Sequence, residues 1–310
     1  MLKSKIKNLG VLSAIGNTPI VELNNINLFN DVKILAKFEG ANPGGSVKDR
    51  AAYFMIRSAI ESGELTENKI ILEPTSGNMG IGLAMVGAAL GFKVKLCMPD
   101  CVSLERRAIL EAFGAELVLT DGCDGTDGAI LKARDMHEEA PDIYYMPDQF
   151  SNPENIQAHY ETTAVEILEQ YSSDISAFVA GLGTTATIMG VSKRLKEYNS
   201  GIHIVGVEPP VGHTIQGLKN MSESIVPEIY DPNIIDEIVN IGDDEAFAMT
   251  RDLALSEGLF CGMSSGAAVA GVLRIAKEMN SGTIITILPD RGDRYLSTTL
   301  FKSMCAKCPP

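Results

Sequence analysis

The chain has 310 residues, of which 45% are hydrophobic and 21% are charged, and its formal net charge is −14. This length suggests one large or two ordinary domains, with enough apolar side chains to bury a sizeable core. The acidic balance argues against a nucleic-acid or anionic-membrane partner, because both attract basic surfaces.

Short apolar runs alternate with helical patterns along the chain. The predicted strands are residues 34–38, 69–73, 94–98, 116–119, 143–145, 177–180, 203–207 and 283–288. The predicted helices are residues 49–62, 78–90, 103–113, 127–139, 153–171, 185–198, 244–256 and 265–279. Repetition of strand and helix is typical of parallel sheets covered on both faces, so we expect an α/β fold.

The cysteines and histidines predict neither a disulfide framework nor a metal site. The six cysteines are scattered as in a reduced cytosolic protein, and the four histidines do not pair at ligand spacing. Cys305 and Cys308 form a C-x-x-C pair, for which we favour an untethered chain end over a redox pair or half of a shared metal site. No run is apolar enough to span a bilayer and no signal-peptide pattern is present, so we expect a cytoplasmic protein.

A lysine occupies an unusual position in the sequence NPGGSVKDR, residues 42–50. Proline and glycine predict a tight turn, and Lys48 lies where this turn meets the N-terminus of a predicted helix. The helix dipole disfavours a cation there and favours the neutral amine, which is a nucleophile. These residues alone leave two alternatives, a catalytic lysine and a solvated lysine that only starts a helix.

Two loops that open predicted helices carry small polar side chains. In the sequence TSGN, Thr75, Ser76 and Asn78 offer hydroxyls and amides that suit an α-carboxylate, although helix capping alone also explains them. In the sequence CGMSSG, Ser264 is also explained by a helix cap.

A third loop, Gly181-Leu-Gly-Thr-Thr-Ala186, follows a strand and suits an anion. Its glycines let backbone N–H groups approach a phosphate, and the helix N-terminus favours the negative charge. The spacing Gly181-x-Gly183-x-x-Ala186 also fits a dinucleotide fingerprint, with Glu208 near the position of a ribose-binding acid. An NAD-dependent dehydrogenase is therefore an alternative of another class.

Together these motifs resemble those of the cysteine synthase and cystathionine β-synthase family, which are fold-type II enzymes that use pyridoxal 5′-phosphate (PLP). The resemblance depends on IGNTPI at residues 15–20, NPGGSVKDR, EPTSGN at 73–78, GLGTT at 181–185 and GMSSG at 262–266. It extends from about residue 12 to residue 300. It implies two three-layer α/β lobes with the cofactor in the cleft between them. The smaller lobe is expected at 40–150, and the larger at 1–39 and 151–310, so that the N-terminal stretch crosses over to pack with the larger lobe. The stretch 147–153 is the best candidate for the passage of the chain between the lobes.

The resemblance also implies a role for individual residues. Lys48 would hold PLP as a Schiff base and act as general base, and Ser264 would face the pyridine nitrogen. Asn78 would bind the ring hydroxyl. The remaining implied contacts are Gly181, Gly183, Thr184 and Thr185 to the phosphate, and Thr75, Ser76, Gly77 and Gln149 to the substrate. The chain departs from the common pattern at Met79, where relatives have threonine, and at Leu182 and Thr184 in the phosphate loop.

The implied reaction is β-replacement on O-phosphoserine or O-acetylserine, through an α-aminoacrylate, to give L-cysteine. The sulfur donor stays open among sulfide, thiosulfate and a protein thiocarboxylate. The closest resemblance is to the O-phosphoserine branch, on residues 181–185, 220–232 and 294–298. In that branch a basic residue before Asn-Met recognises the substrate phosphate, and Lys219 occupies this position. The alternative is that Lys219 is only an exposed surface lysine. A homodimer is also implied.

Two further alternatives stay open. A cystathionine β-synthase would use homocysteine as the nucleophile, and nothing in the sequence firmly excludes it. A non-catalytic relative that binds partners on the same scaffold is disfavoured, because Lys48, Asn78 and Ser264 are all present.

Overall fold

A computed structural model describes residues 10–75, 77–223 and 225–302 of the chain. Ser76 and the Cys305–Cys308 pair, on which two of the sequence predictions depend, lie outside these residues. None of the described helices is long and apolar enough to cross a membrane.

Ten strands and ten α-helices make up the described part of the chain. The strands are β1 Ile20–Glu22, β2 Val32–Phe38, β3 Ile70–Pro74, β4 Val94–Pro99, β5 Glu116–Thr120, β6 Tyr144–Tyr145, β7 Ala177–Gly181, β8 His203–Glu208, β9 Glu237–Asn240 and β10 Gly282–Leu288. The helices are α1 Lys48–Ser62, α2 Asn78–Leu90, α3 Leu104–Ala112, α4 Gly125–Glu139, α5 Pro153–Ala158, α6 Ala164–Gln170, α7 Ala186–Tyr198, α8 Asp243–Glu257, α9 Met263–Glu278 and α10 Thr299–Lys302.

The predicted elements are confirmed, apart from small shifts at their ends, with one exception. The helix predicted over 153–171 is divided by a π-helix, His159–Thr163, between α5 and α6. At this point the buried His159 ring contacts the hydroxyls of Thr163 and Thr187. A π-turn adds one residue to a turn of the helix, and the pattern of apolar residues in the sequence does not reveal it.

Contacts group the described residues into two compact units. The first unit takes its residues from Met1–Ile15, Asn42–Asn155 and Arg294–Pro310, and the second unit is Gly16–Ala41 with Ile156–Asp293. This grouping differs from the predicted lobes at both chain ends. The reason is local packing, because Leu12 lies in the hydrophobic core of the first unit and Arg294 bonds to Gly44 of the same unit.

The first unit is built on a parallel sheet of four strands in the order β5-β4-β3-β6. Helix α2 is apolar on almost every side and packs closely on α1. A Cβ on Gly82 of α2 would lie 3.0 Å from Ala52 Cβ and 3.1 Å from the Lys48 carbonyl oxygen. The small residues of α2 therefore let it approach the first turn of α1.

The second unit is built on six strands in the order β1-β2-β10-β7-β8-β9. All neighbours are parallel except β1 and β2, which are antiparallel. Strands β1 and β9 were not predicted, because they are short edge strands whose residues are mostly exposed or half-buried. The predicted α/β class with parallel sheets is confirmed in both units.

Candidate active site

The loop before Lys48 is held by the residue that follows it. The Asp49 carboxylate is fully buried and accepts the backbone N–H of Gly44 at 2.6 Å. A Cβ on Gly44 would lie 2.6 Å from the other Asp49 oxygen, so only glycine fits there. The Ser46 hydroxyl accepts the backbone N–H of Lys48 at 3.2 Å. The glycine, the serine and the aspartate therefore fix the backbone from which the lysine side chain starts.

The Lys48 side chain is partly exposed, and its ammonium group is poorly solvated. Burial lowers the pKa of Lys48 from 10.5 to about 8. About a tenth of the amine is then neutral at pH 7, far more than for an ordinary lysine. The cause is desolvation, and not the helix dipole that the sequence suggested. The neutral form of an amine can act as a nucleophile and base.

The substrate loop begins where β3 ends. The buried Thr75 hydroxyl oxygen accepts the N–H of Gly77 at 3.1 Å and of Gly80 at 3.2 Å, so it closes the start of α2. Gly77 has a φ of +155°, and a Cβ there would lie 2.7 Å from Arg106 Cδ. This backbone therefore requires glycine, and Thr75 provides the capping that the sequence predicted for the loop.

Gln149 lies beside this loop. Its side-chain amide donates to the Pro74 carbonyl at 3.0 Å, next to Thr75 in the chain. The backbone N–H groups of Asp148 and Gln149 donate to the two oxygens of Glu73 at 2.9 and 3.0 Å. Asp148 has a φ of +49°, which is uncommon outside glycine. The structure therefore brings Gln149 to the substrate loop, as the predicted shared role requires.

Asn78 is the first residue of α2, and its side chain contacts a residue that sequence reasoning did not assign to the site. The Asn78 Oδ1 atom accepts from Arg294 Nη1 at 2.6 Å. Arg294 Nη2 donates to the Gly44 carbonyl at 2.9 Å, in the loop before Lys48. In the sequence, Arg294 is notable only as the first residue of the segment 294–298. No sequence pattern indicates that a residue 216 positions after Asn78 contacts it.

In the second unit, the glycine loop joins β7 to α7. Thr185 precedes α7 with a φ of +66°, and its buried hydroxyl oxygen has no hydrogen-bond partner among the described residues. A Cβ on Gly183 would overlap the carbonyl oxygen of Gly217. A left-handed threonine with an unmatched buried hydroxyl, at a helix N-terminus, is an arrangement that an anion would complete.

One departure from the family pattern in this loop, Leu182, is part of the hydrophobic core. The Leu182 side chain is fully buried and packs on Gly206 of β8, where a Cβ would lie 3.2 Å from Leu182 Cδ2. The backbone N–H of Lys219 donates to the Leu182 carbonyl at 2.7 Å, and the Lys219 side chain is partly exposed. The segment that carries Lys219 therefore lies against the glycine loop.

Ser264 belongs to the same neighbourhood of the second unit. A Cβ on Gly217 would lie 4.0 Å from the Ser264 hydroxyl oxygen. Ser264 is the second residue of α9, whose N-cap residue is Gly262, so Ser264 does not occupy the N-cap position.

These groups fit the chemistry of PLP. In the first unit, Lys48 is an amine of lowered pKa that could take the aldehyde, and Asn78 is an amide at the first residue of α2. In the second unit, the glycine loop has an unmatched buried hydroxyl at Thr185 that could take the phosphate, and Ser264 has a neutral hydroxyl that suits the pyridine nitrogen. No donor in this set conflicts with the cofactor.

The comparison with known families decides between the two classes of function that the glycine loop left open. Residues 11–290 match the family described as "Pyridoxal-phosphate dependent enzyme". The chain belongs to this family. The predicted cofactor, PLP, and the predicted fold-type II resemblance are confirmed, and the dehydrogenase alternative is wrong.

Individual relatives narrow the assignment. The chain is 45% identical over 299 residues to a cysteine synthase of Aquifex aeolicus, which covers 94% of this chain and 91% of that protein. Two solved structures are similar. O-acetyl serine sulfhydrylase isoform 3 of Entamoeba histolytica has a TM-score of 0.88 and 41% identity, covering 94% of this chain and 91% of that chain. The O-acetylserine dependent cystathionine β-synthase of Helicobacter pylori has a TM-score of 0.89 and 37% identity, covering 94% and 98%. The predicted enzyme of the cysteine synthase type is confirmed.

Proposed function

We propose that the enzyme makes L-cysteine by β-replacement on O-acetyl-L-serine with a sulfur nucleophile. The observation that carries the proposal is Lys48, whose pKa is lowered to about 8 by burial in a loop fixed by Asp49. Such an amine exchanges readily between the neutral and protonated forms near neutral pH, as a general base and acid must. When bound, PLP supplies the electron sink for the reaction at Cα.

The remaining roles follow the chemistry of the side chains. Lys48 removes the Cα proton of the substrate and returns it to the product. Thr75, Ser76, Gly77 and Gln149 bind the substrate α-carboxylate. Asn78 and Ser264 hold the ring of the cofactor, and Gly181, Gly183, Thr184 and Thr185 hold its phosphate. Because the Ser264 hydroxyl is neutral, it does not keep the ring nitrogen protonated, which suits elimination of a good leaving group.

O-acetylserine is preferred over O-phosphoserine as the amino-acid substrate. The supporting observation is that two similar enzymes of known structure are named for O-acetylserine. The sequence resembles the O-phosphoserine branch at residues 181–185, 220–232 and 294–298, and Lys219 occupies the position of the basic residue of that branch. A single ammonium lacks the bidentate hydrogen bonding of arginine to a phosphate. Lys219 is the candidate contact for the phosphate of a phosphorylated substrate.

The visible absorption spectrum of the purified protein tests this proposal. We expect a yellow protein whose band changes on adding O-acetylserine and changes little with O-phosphoserine. In Lys48→Ala, borohydride reduction should leave no PLP attached to the chain by mass spectrometry, whereas the wild-type chain should retain it. A band that responds only to O-phosphoserine would reverse the choice of substrate. A colourless protein after incubation with PLP would overturn the role of Lys48.

A second candidate is the synthesis of cystathionine from the same activated serine. It is supported by the 37% identity to an enzyme named as an O-acetylserine dependent cystathionine β-synthase. Product analysis with sulfide and homocysteine in competition separates the two, and we expect cysteine as the main product. The nature of the sulfur donor, the homodimer and the cytoplasmic location stay predictions.

A further inference from the structure

Arg294 is buried at the point where three segments of the first unit meet. Only 1% of its surface is exposed. Its guanidinium donates to Asn78 Oδ1 at 2.6 Å and to the Gly44 carbonyl at 2.9 Å, and its own carbonyl accepts the Ser103 hydroxyl at 3.0 Å. One side chain therefore joins the first residue of α2 to the loop that precedes Lys48.

The contact fixes which way the Asn78 amide faces. A guanidinium has only donors, so the amide atom that faces Arg294 must be the oxygen. The NH₂ group of Asn78 is then directed away from Arg294 and is presented as a donor. A charge-assisted hydrogen bond of 2.6 Å in a partly buried setting holds this orientation more firmly than a bond between neutral groups.

We propose that Arg294 is a positioning residue, which holds Asn78 so that its NH₂ group donates to the ring oxygen of PLP. The inference rests on the proposed contact of Asn78 with the cofactor. A donor at that oxygen stabilises the form of the bound cofactor in which the oxygen is negatively charged. The same arginine holds Gly44, so the amide donor and the start of the Lys48 loop are set by one side chain.

The first test compares Arg294→Gln with wild type by absorption and by equilibrium dialysis against PLP. We expect PLP to bind about tenfold more weakly, which corresponds to about 1.4 kcal/mol. We also expect the visible band to fall relative to the near-ultraviolet band, because the ring oxygen loses its fixed donor. A variant with a lower melting temperature but unchanged affinity and band ratio would show that Arg294 is only structural.

Two controls separate positioning from packing. Ser103→Ala removes the hydrogen bond to the Arg294 carbonyl and leaves the guanidinium contacts intact. It should keep the wild-type band ratio. In an Asn78→Ala background, Arg294→Gln should change the band ratio by less than twofold, whereas any loss of affinity that remains there reflects the contact with Gly44. An equally large change of band ratio in that background would overturn the inference, since Arg294 would then act on the ring oxygen without Asn78.

A conservative pair of variants covers the case in which Arg294→Gln does not fold. Arg294→Lys keeps one cationic donor and should give a band ratio between those of wild type and Asn78→Ala. Asn78→Asp keeps the acceptor for Arg294 but loses the NH₂ donor, and should give the low ratio. A wild-type ratio in both variants would contradict the inference. A colourless wild-type protein would overturn the proposed function itself, and a coloured wild type with an unaffected Arg294→Gln would overturn only this inference.

Discussion

Two ionisable groups of the first unit have pKa values that desolvation displaces toward neutrality. Burial lowers the pKa of Lys48 to about 8 and raises the pKa of Glu73 to about 8. For Glu73, the N–H groups of Gln149 and Asp148 lower the pKa, and burial exceeds their effect. In each case the charged form is disfavoured because it loses water. The shift of Lys48 makes the reactivity of its amine depend on pH near 8. The shift of Glu73 makes the free energy of unfolding depend on pH below 8.

The reactivity of Lys48 should follow its lowered pKa. In cofactor-free protein, we expect the rate of Lys48 modification by an amine reagent to rise with pH and reach half its maximum near pH 8. Peptide mapping at each pH measures this rate. The same protein unfolded in urea is the control, and there the midpoint should return to near 10.5. A midpoint above pH 10 in the folded protein would contradict the proposed environment of the amine.

Glu73 should make the stability of the protein fall as pH rises from about 5 to 8. In this range the folded state keeps a proton that the unfolded state has released, so folding takes up a proton and weakens with increasing pH. Glu73→Gln removes this titration. The wild-type free energy of unfolding, measured in urea relative to Glu73→Gln, should decline by on the order of 1 kcal/mol per pH unit.

The exposed Glu67 provides a control for this experiment. Glu67→Gln should give a free energy of unfolding that runs parallel to wild type between pH 5 and 8. If the Glu73→Gln curve is also parallel to wild type, the Glu73 carboxyl does not titrate in that range and the prediction is wrong.

At the scale of the elements, the substrate loop and the glycine loop each join a strand to a helix. Gly183 lies in the glycine loop, where any side chain would overlap the Gly217 carbonyl. Gly183→Ala should displace the loop and weaken PLP binding at least tenfold, with a smaller effect on pyridoxal, which lacks the phosphate. Equilibrium dialysis with both compounds measures the two affinities.

Gly242 is the matched control, because it also precedes a helix of the second unit and a Cβ there would meet nothing within 4 Å. Gly242→Ala should leave the ratio of the PLP and pyridoxal affinities unchanged. Equal losses for both compounds in Gly183→Ala would indicate general disruption and would contradict the assignment of the loop to the phosphate.

The sequence predicts these elements well where one pattern controls them. Buried parallel strands such as β10 are continuous apolar runs, and the helices between them begin after glycine or small polar residues. The antiparallel edge strand β1 and the π-turn at His159 depend on contacts with distant residues, which leave no local period. The same reason applies to the candidate site, since motifs indicated roles for Lys48 and Asn78, whereas the segment 294–298 gave no role to Arg294.

At the scale of the whole molecule, substitution of Lys219 tests which amino-acid substrate the enzyme uses. Lys219→Ala should leave turnover of O-acetylserine within about twofold of wild type, since an acetyl group offers the ammonium no charge to bind. Any turnover of O-phosphoserine should fall more than about tenfold, through KM, because a phosphate contact is lost. Steady-state kinetics with both substrates measure the two effects.

Lys277→Ala, at an exposed lysine of the same unit, is the control and should change neither substrate. Lys219→Arg should keep or improve O-phosphoserine turnover, because arginine offers a phosphate two donors. Equal losses for the two substrates in Lys219→Ala would mean that Lys219 has no part in recognising a phosphate.

The interleaving of the two units has a consequence for synthesis on the ribosome. The first unit needs Leu12, the stretch Asn42–Asn155 and Arg294, while most of the second unit is made in between. Domains generally fold during synthesis, the N-terminal ones first. The first unit, however, cannot be completed until residue 294 has been made. The orientation of Asn78 is then among the last features to form. With the proposed contact of Asn78 to the cofactor, a nascent chain stopped before Arg294 would contain Lys48 and the glycine loop without a fixed amide donor, so capture of the cofactor is disfavoured until Arg294 has been made.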